Sequence, residues 1–258
     1  MAGRNIARTL TAALIALVGW EMNAQRVVHV VVALCDNVNQ GIVKVPAAIG
    51  NGQDPGRNLY WGAGCGVRHW FTKKSGEWIL LKKWTNPEGH ILERAAWKHR
   101  TKDVYLVADA YDGAFIQQAT NDMLDFAGGH QVKTLRMDST TIRFGGASDL
   151  IAYCGHDGLM EFAPPPAKAA ANPKKRETII LACISKRFFA EPLKATGAQP
   201  LLWSTGLMSP EAYTLDAAIQ GWVRGETSTQ VRERAAQAYH QWQKCGISGA
   251  RRLLVSGW

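Results

Sequence analysis

The chain has 258 residues, 47% of them hydrophobic and 20% charged, and a formal net charge of +9. That suits a folded globular protein able to bury a core without a disulfide scaffold or a structural metal. The positive balance favours acidic partners, but it is spread over short clusters such as Lys73-Lys74, Lys82-Lys83 and Lys174-Lys175-Arg176. No basic helix interleaved with aromatics occurs, so specific nucleic-acid binding is not expected.

Residues 1–24 read as a signal peptide. Arg4 and Arg8 form a positive start, and Leu10 to Trp20 is an apolar run too short to span a bilayer comfortably. Cleavage after Ala24 predicts an exported protein, periplasmic or secreted, with no transmembrane span once the signal is removed. Residues 25–258 then form a single domain. The five cysteines, Cys35, Cys65, Cys154, Cys183 and Cys245, leave at least one free thiol and include no CxxC.

Val27 to Leu34 is a β-branched run that predicts a strand buried on both faces, with Cys35-Asp36-Asn37 at its C-terminal end. A Gly/Pro/Asn-rich loop follows to about Arg57. Asn58 is placed to cap a helix over Leu59 to Phe71. Trp78 to Trp84 reads as a strand, and Ile91 to Lys98 as a short helix. Val104 to Ala108 predicts another buried strand, ending on Asp109. A helix from Ala114 to Phe126 is stopped by Gly128-Gly129. Leu135 and Thr140 to Phe144 suggest a hairpin. Ser148 to Cys154 and Thr178 to Ala182 are two further buried strands, and the Pro- and Ala-rich stretch 163–176 between them reads as an exposed, mobile loop.

Beyond Cys183 the pattern predicts a helix over Arg187 to Ala195 and a strand over Pro200 to Trp203. A helix opening at Ser209-Pro210 and a last one over Thr229 to Lys244 complete the chain. Strands alternating with helices predict an α/β fold, a three-layer α/β/α sandwich on a mostly parallel sheet.

The chemistry concentrates after the two strands that flank the Pro/Ala-rich loop. One runs into Gly155-His156-Asp157-Gly158, the other into Cys183-Ile184-Ser185. Side by side and parallel, their C-terminal ends would bring an imidazole beside a thiol, the minimum equipment of a cysteine nucleophile. A helix N-terminus and a neighbouring imidazole both favour thiolate over thiol.

The order apolar strand, Gly-His-x-Gly, apolar strand, Ala-Cys-x-Ser resembles the caspase/gingipain/legumain superfamily of cysteine peptidases. The motif match covers about a dozen residues, Tyr153 to Gly158 and Leu181 to Ser185. The resemblance implies a caspase-like fold with His156 as acid/base and Cys183 as nucleophile. It also implies oxyanion donors on the backbone of Gly158 and Cys183, and hydrolysis of a polypeptide substrate through an acyl-enzyme with no metal or cofactor. In this chain Asp157 follows the histidine where the family usually has Gly, and Lys186-Arg187 stands in place of the glycines that follow the cysteine.

The family layout puts Asp36, Asp109, Asp112 and Asp157 where a carboxylate could receive a basic side chain. Lys174-Lys175-Arg176 would then be a self-cleavage site. It also makes the strands ending at Cys35 and Cys154 neighbours, able to form a disulfide or simply to pack. Gly62-Ala63-Gly64-Cys65-Gly66 departs from a dinucleotide loop, and His90, Glu93 and His99 are too loosely spaced to define a metal site. Two other readings stand beside the peptidase: a catalytically inactive relative that uses the same cleft for binding, and a basic α/β protein that binds a polyanion.

Overall fold

A computed structural model describes residues 25–137, 140–166 and 168–258, so the predicted signal peptide lies outside the described residues. An eight-stranded sheet runs through the domain in the order β10-β9-β8-β7-β1-β4-β3-β2. Its parallel centre comprises β4 (Val104–Tyr111), β1 (Arg26–Ala33), β7 (Leu150–Cys154), β8 (Glu177–Leu181) and β9 (Gln199–Ser204). Antiparallel strands flank it, β3 (Ile91–His99) and β2 (Trp78–Glu88) on one side and the two-residue β10 (Leu254–Val255) on the other. A separate hairpin pairs β5 (Val132–Met137) with β6 (Thr140–Gly145).

The period of two along β1 divides the core into layers. Val28, Val30, Val32 and Leu34 join the apolar cluster of α1 (Val67–Lys73), α4 (Ala212–Val223) and α5 (Ser228–Gln243). Val31 and Ala33 point the other way, to α2 (Ile116–Ala127) and α3 (Ser185–Thr196). Val27 lies under the hairpin, against Ile142 and Phe144. The result is an α/β fold of three layers. A final helix, α6 (Ile247–Leu253), leads into β10. No helix among the described residues is long and apolar enough to cross a membrane.

Two elements differ from the sequence reading. Ile91 to His99 is a strand, because pairing with β2 and β4 on both sides overrides a helical apolar spacing. The helix expected over Leu59 to Phe71 begins only at Val67. Asn58 instead ties the loop to the end of β1: its Nδ2 donates to Cys35 O at 2.8 Å and its Oδ1 accepts the Cys35 amide at 3.1 Å. The described residues of the stretch 163–176 form no helix or strand, as expected of a loop, and the stretch ends on a buried Arg176 whose Nε and Nη2 donate to Gly146 O at 3.0 and 2.6 Å. Arg176 is thus a structural anchor and withdrawn from the self-cleavage site expected there.

Candidate functional site

β7 and β8 are adjacent and parallel, with Cys154 in register with Leu181. His156 and Cys183 each lie two residues beyond that pair, at the same level of the sheet edge. Both line one cavity of about 470 Å³. Its walls come from four strand ends: the loop after β1, the Gly155–Met160 segment after β7, Cys183 after β8, and Leu207 to Glu211 after β9. The carboxyl edge of a parallel sheet is where α/β proteins gather their ligands.

Local backbone explains how each residue is presented. Gly155 packs so closely on β1 that a Cβ there would sit 2.9 Å from Ala33 O, and its amide donates to Leu181 O at 3.2 Å. His156 follows at the cavity wall, 8% exposed. Its Nε2 lies 2.6 Å from Glu161 Oε1. A carboxylate only accepts, so Nε2 carries the proton and Nδ1 is the nitrogen able to take one. Glu161 Oε1 also receives the Gly41 amide, joining the histidine's support to the loop after β1. Sequence reading missed Glu161; the available signal was an acid just beyond the turn that Gly158 opens.

Cys183 leaves β8 through a sharp corner. Ile184 adopts the left-handed region at φ 51°, ψ 30°, and α3 starts at Ser185. Such a conformation is costly for a β-branched side chain and marks a corner held by its surroundings. Ser185 and Ser204 supply that hold: Ser204 N donates to Ser185 Oγ at 2.9 Å, and Ser185 N to Ser204 Oγ at 3.1 Å. The Met208 amide donates to Cys183 Sγ at 3.4 Å. Burial, with Asp157 adding to it, outweighs this bond and pushes the thiol above its ordinary value. That direction favours the thiol, against the pull toward thiolate of a helix end and an imidazole.

The other expected residues sit elsewhere. Gly158 is absent from the cavity lining, and a Cβ on it would lie 2.5 Å from the Phe162 ring. Its glycine answers close packing, so of the two expected oxyanion donors only Cys183 belongs to the cavity. Asp36 is 1% exposed and its carboxylate is saturated by Asn39, Gln53 and the Val38 and Asn39 amides. Asp112 caps the turn before α2, accepting from Ala114 N at 3.0 Å.

Asp109 is fully buried. It accepts from Arg94 Nε at 2.5 Å and Nη2 at 2.7 Å, and lies 3.1 Å from His29 Nε2. Although burial opposes it, those partners hold its carboxyl down at about 2. Neither Asp36 nor Asp109 has a face left for a substrate's basic group. Asp157 is fully buried as well, and its Oδ1 accepts from Leu159 N at 3.0 Å while Oδ2 has no partner. Burial raises its carboxyl to about 7.

All five cysteines are free thiols. β1 and β7 do pair, but Cys154 Sγ donates to Pro210 O at 2.7 Å, and burial raises Cys35 to about 11, so the two sulfurs pack without bonding. His90 stacks on Phe115, Glu93 accepts from Lys83 at 2.9 Å, and His99 packs on Trp78, so the three do not converge. No cluster of three or more potential metal ligands occurs among the described residues. Comparison with protein-family models, with curated proteins and with solved structures gives no match.

Proposed function

We propose that the domain is a cysteine endopeptidase-like hydrolase that cleaves amide bonds through an acyl-enzyme on Cys183. The observation that carries this is that Cys183 and His156 line one cavity at the ends of adjacent parallel strands, with Glu161 behind the imidazole. The same arrangement supports the resemblance to the caspase/gingipain/legumain superfamily, where the histidine ends one strand and the cysteine the next.

Because the resting sulfur is protonated, it needs a base at the moment of attack. His156 Nδ1 takes the thiol proton as Sγ bonds to the substrate carbonyl carbon, and the Cys183 amide receives the developing oxyanion. The imidazolium, steadied by Glu161, then gives its proton to the leaving amine as the C–N bond breaks. Water attacks the thioester with its proton passing to His156, which returns a proton to the sulfur. No cofactor enters the cycle.

The test is labelling of Cys183 by a peptidyl acyloxymethyl ketone, a probe that needs an assisted thiol, read by peptide mass spectrometry. Wild type should label, and His156→Ala should label at least about a hundredfold more slowly. Equal labelling of both would sink the reading and leave the inactive, binding relative, the alternative that the raised thiol favours. The polyanion reading stands as the other alternative, and salt-dependent binding to heparin or DNA would support it. Export remains part of the proposal, and an intact mass starting at Gln25 would support it.

A further inference from the structure

We propose that the Cys183–His156 cavity holds a large apolar side chain of a peptide, on the acyl side of the bond that is cut, rather than a basic or acidic one. This rests on the peptidase reading above and names its substrate class.

The walls are apolar. Ile42 and Val45 come from the loop after β1, Leu59 from beneath it, Met160 from the segment after β7, and Leu207 and Met208 from the loop after β9. Among the described residues no lysine or arginine lines the cavity, and Glu211 is its one carboxylate. That carboxylate is engaged on one oxygen, since its Oε2 accepts from Tyr213 Oη at 2.7 Å and from Gln243 Nε2 at 3.1 Å. A lysine or arginine head entering here would shed water against mostly apolar walls, with a single half-engaged carboxylate to offset the cost. An aspartate would meet apolar walls and a like charge.

The mouth points to the same occupant. Val43 is 92% exposed, Leu207 72% and Met160 42%, all three at the cavity. Large apolar side chains gathered at the rim of a cleft mark a surface that an apolar ligand covers. At about 470 Å³ the cavity has room for a Leu, Met or Phe side chain with flanking backbone, within the roughly 300–1,000 Å³ of small-ligand sites. Because Cys183 lines the same cavity, the side chain assigned to that cavity is the one next to the carbonyl under attack.

The experiment uses four acyloxymethyl ketone probes that differ only at the residue bearing the ketone: Leu, Phe, Lys or Asp. The rate of mass addition at Cys183 is compared between them. The Leu or Phe probe should react at least about tenfold faster than the Lys and Asp probes. Leu207→Asp, a change on an exposed side chain that does not threaten folding, should shrink that ratio by raising the Lys probe and slowing the Leu probe.

Equal or faster reaction of the Lys or Asp probe, lost in His156→Ala, would overturn the apolar assignment and leave the peptidase standing. Failure of every probe to modify Cys183, with the protein folded by circular dichroism, would overturn both. A Leu207→Asp variant with wild-type ratios would overturn the assignment of this cavity as the specificity site.

Discussion

Glu161 receives the Nε2–H of His156 on the same oxygen that receives the Gly41 amide. The orientation of the imidazole and the position of the loop after β1 are thereby set by one carboxylate group. Glu161→Gln keeps the shape but weakens the acceptor, so it should slow ketone labelling of Cys183 without abolishing it. His156→Ala should cost more, about 10²–10⁴-fold, the usual worth of a positioned acid/base. Pseudo-first-order labelling rates across the three proteins check the order.

Asp157 makes stability depend on pH. Its carboxyl ordinarily titrates at 3.8 and is raised by burial to about 7 in the folded protein. Below pH ~4 the acid is protonated in both states and costs nothing. As pH rises from there through 7, the unfolded chain gains from ionising first, and stability falls by roughly 4 kcal/mol at most. Asp157→Asn keeps an acceptor for Leu159 N and removes the titration. Thermal melts should show wild type losing Tm between pH 5 and 8, with the variant flatter and more stable at pH 8.

Arg94 and Asp109 form a buried bidentate pair between neighbouring strands, with Glu88 on the outer side of the guanidinium. Arg94→Met would leave Asp109 charged and without its main partner, at a cost of about 3–5 kcal/mol. Urea denaturation measures it. Asp109→Asn should also destabilise, yet at a temperature where that variant is folded the relative rates of the Leu and Lys probes should stay at wild-type values. A changed ratio would return Asp109 to the list of substrate-binding groups.

The thiols offer a separate check. Cys245 is exposed, Cys65 and Cys183 are partly buried, and Cys35 and Cys154 are enclosed. A small alkylating agent at pH 8 should modify Cys245 first and spare Cys35 and Cys154. After denaturation without reductant, all five should react. A mass with two sites blocked would instead reveal a disulfide.

Much of this architecture was legible in the chain. Val27 to Leu34, Val104 to Ala108 and the strands before His156 and Cys183 carry continuous apolar runs, and a run of that kind has one good home, the inside of a parallel sheet. The Ile91–His99 strand was not legible, because its inner and outer residues mix Glu93 and Arg94 with alanines whose burial depends on β2 and β4. The placing of His156 and Cys183 followed from two strand ends. The fate of the acids did not, since Asp36 and Asp109 look alike in sequence and are engaged in part by Gln53 and Arg94, 17 and 15 residues away. Glu161 was hidden for the same reason: its value comes from a turn that folds it back.

The two margins of the sheet are unequal. On one side β10 adds only two residues beside β9, and Trp258 packs edge-on against Trp203. On the other, β2 leaves an eleven-residue strand with one flank open, and Ile79, Leu80 and Leu81 are 45%, 40% and 41% exposed along it. An open flank is a template on which another chain can add itself. Two breaks in register, at Leu80/Lys82 and Thr85/Glu88, shorten that template, and Lys82 charges it. Repulsion between like copies therefore guards this margin, and added salt, by screening it, removes the guard where the molecule is stickiest.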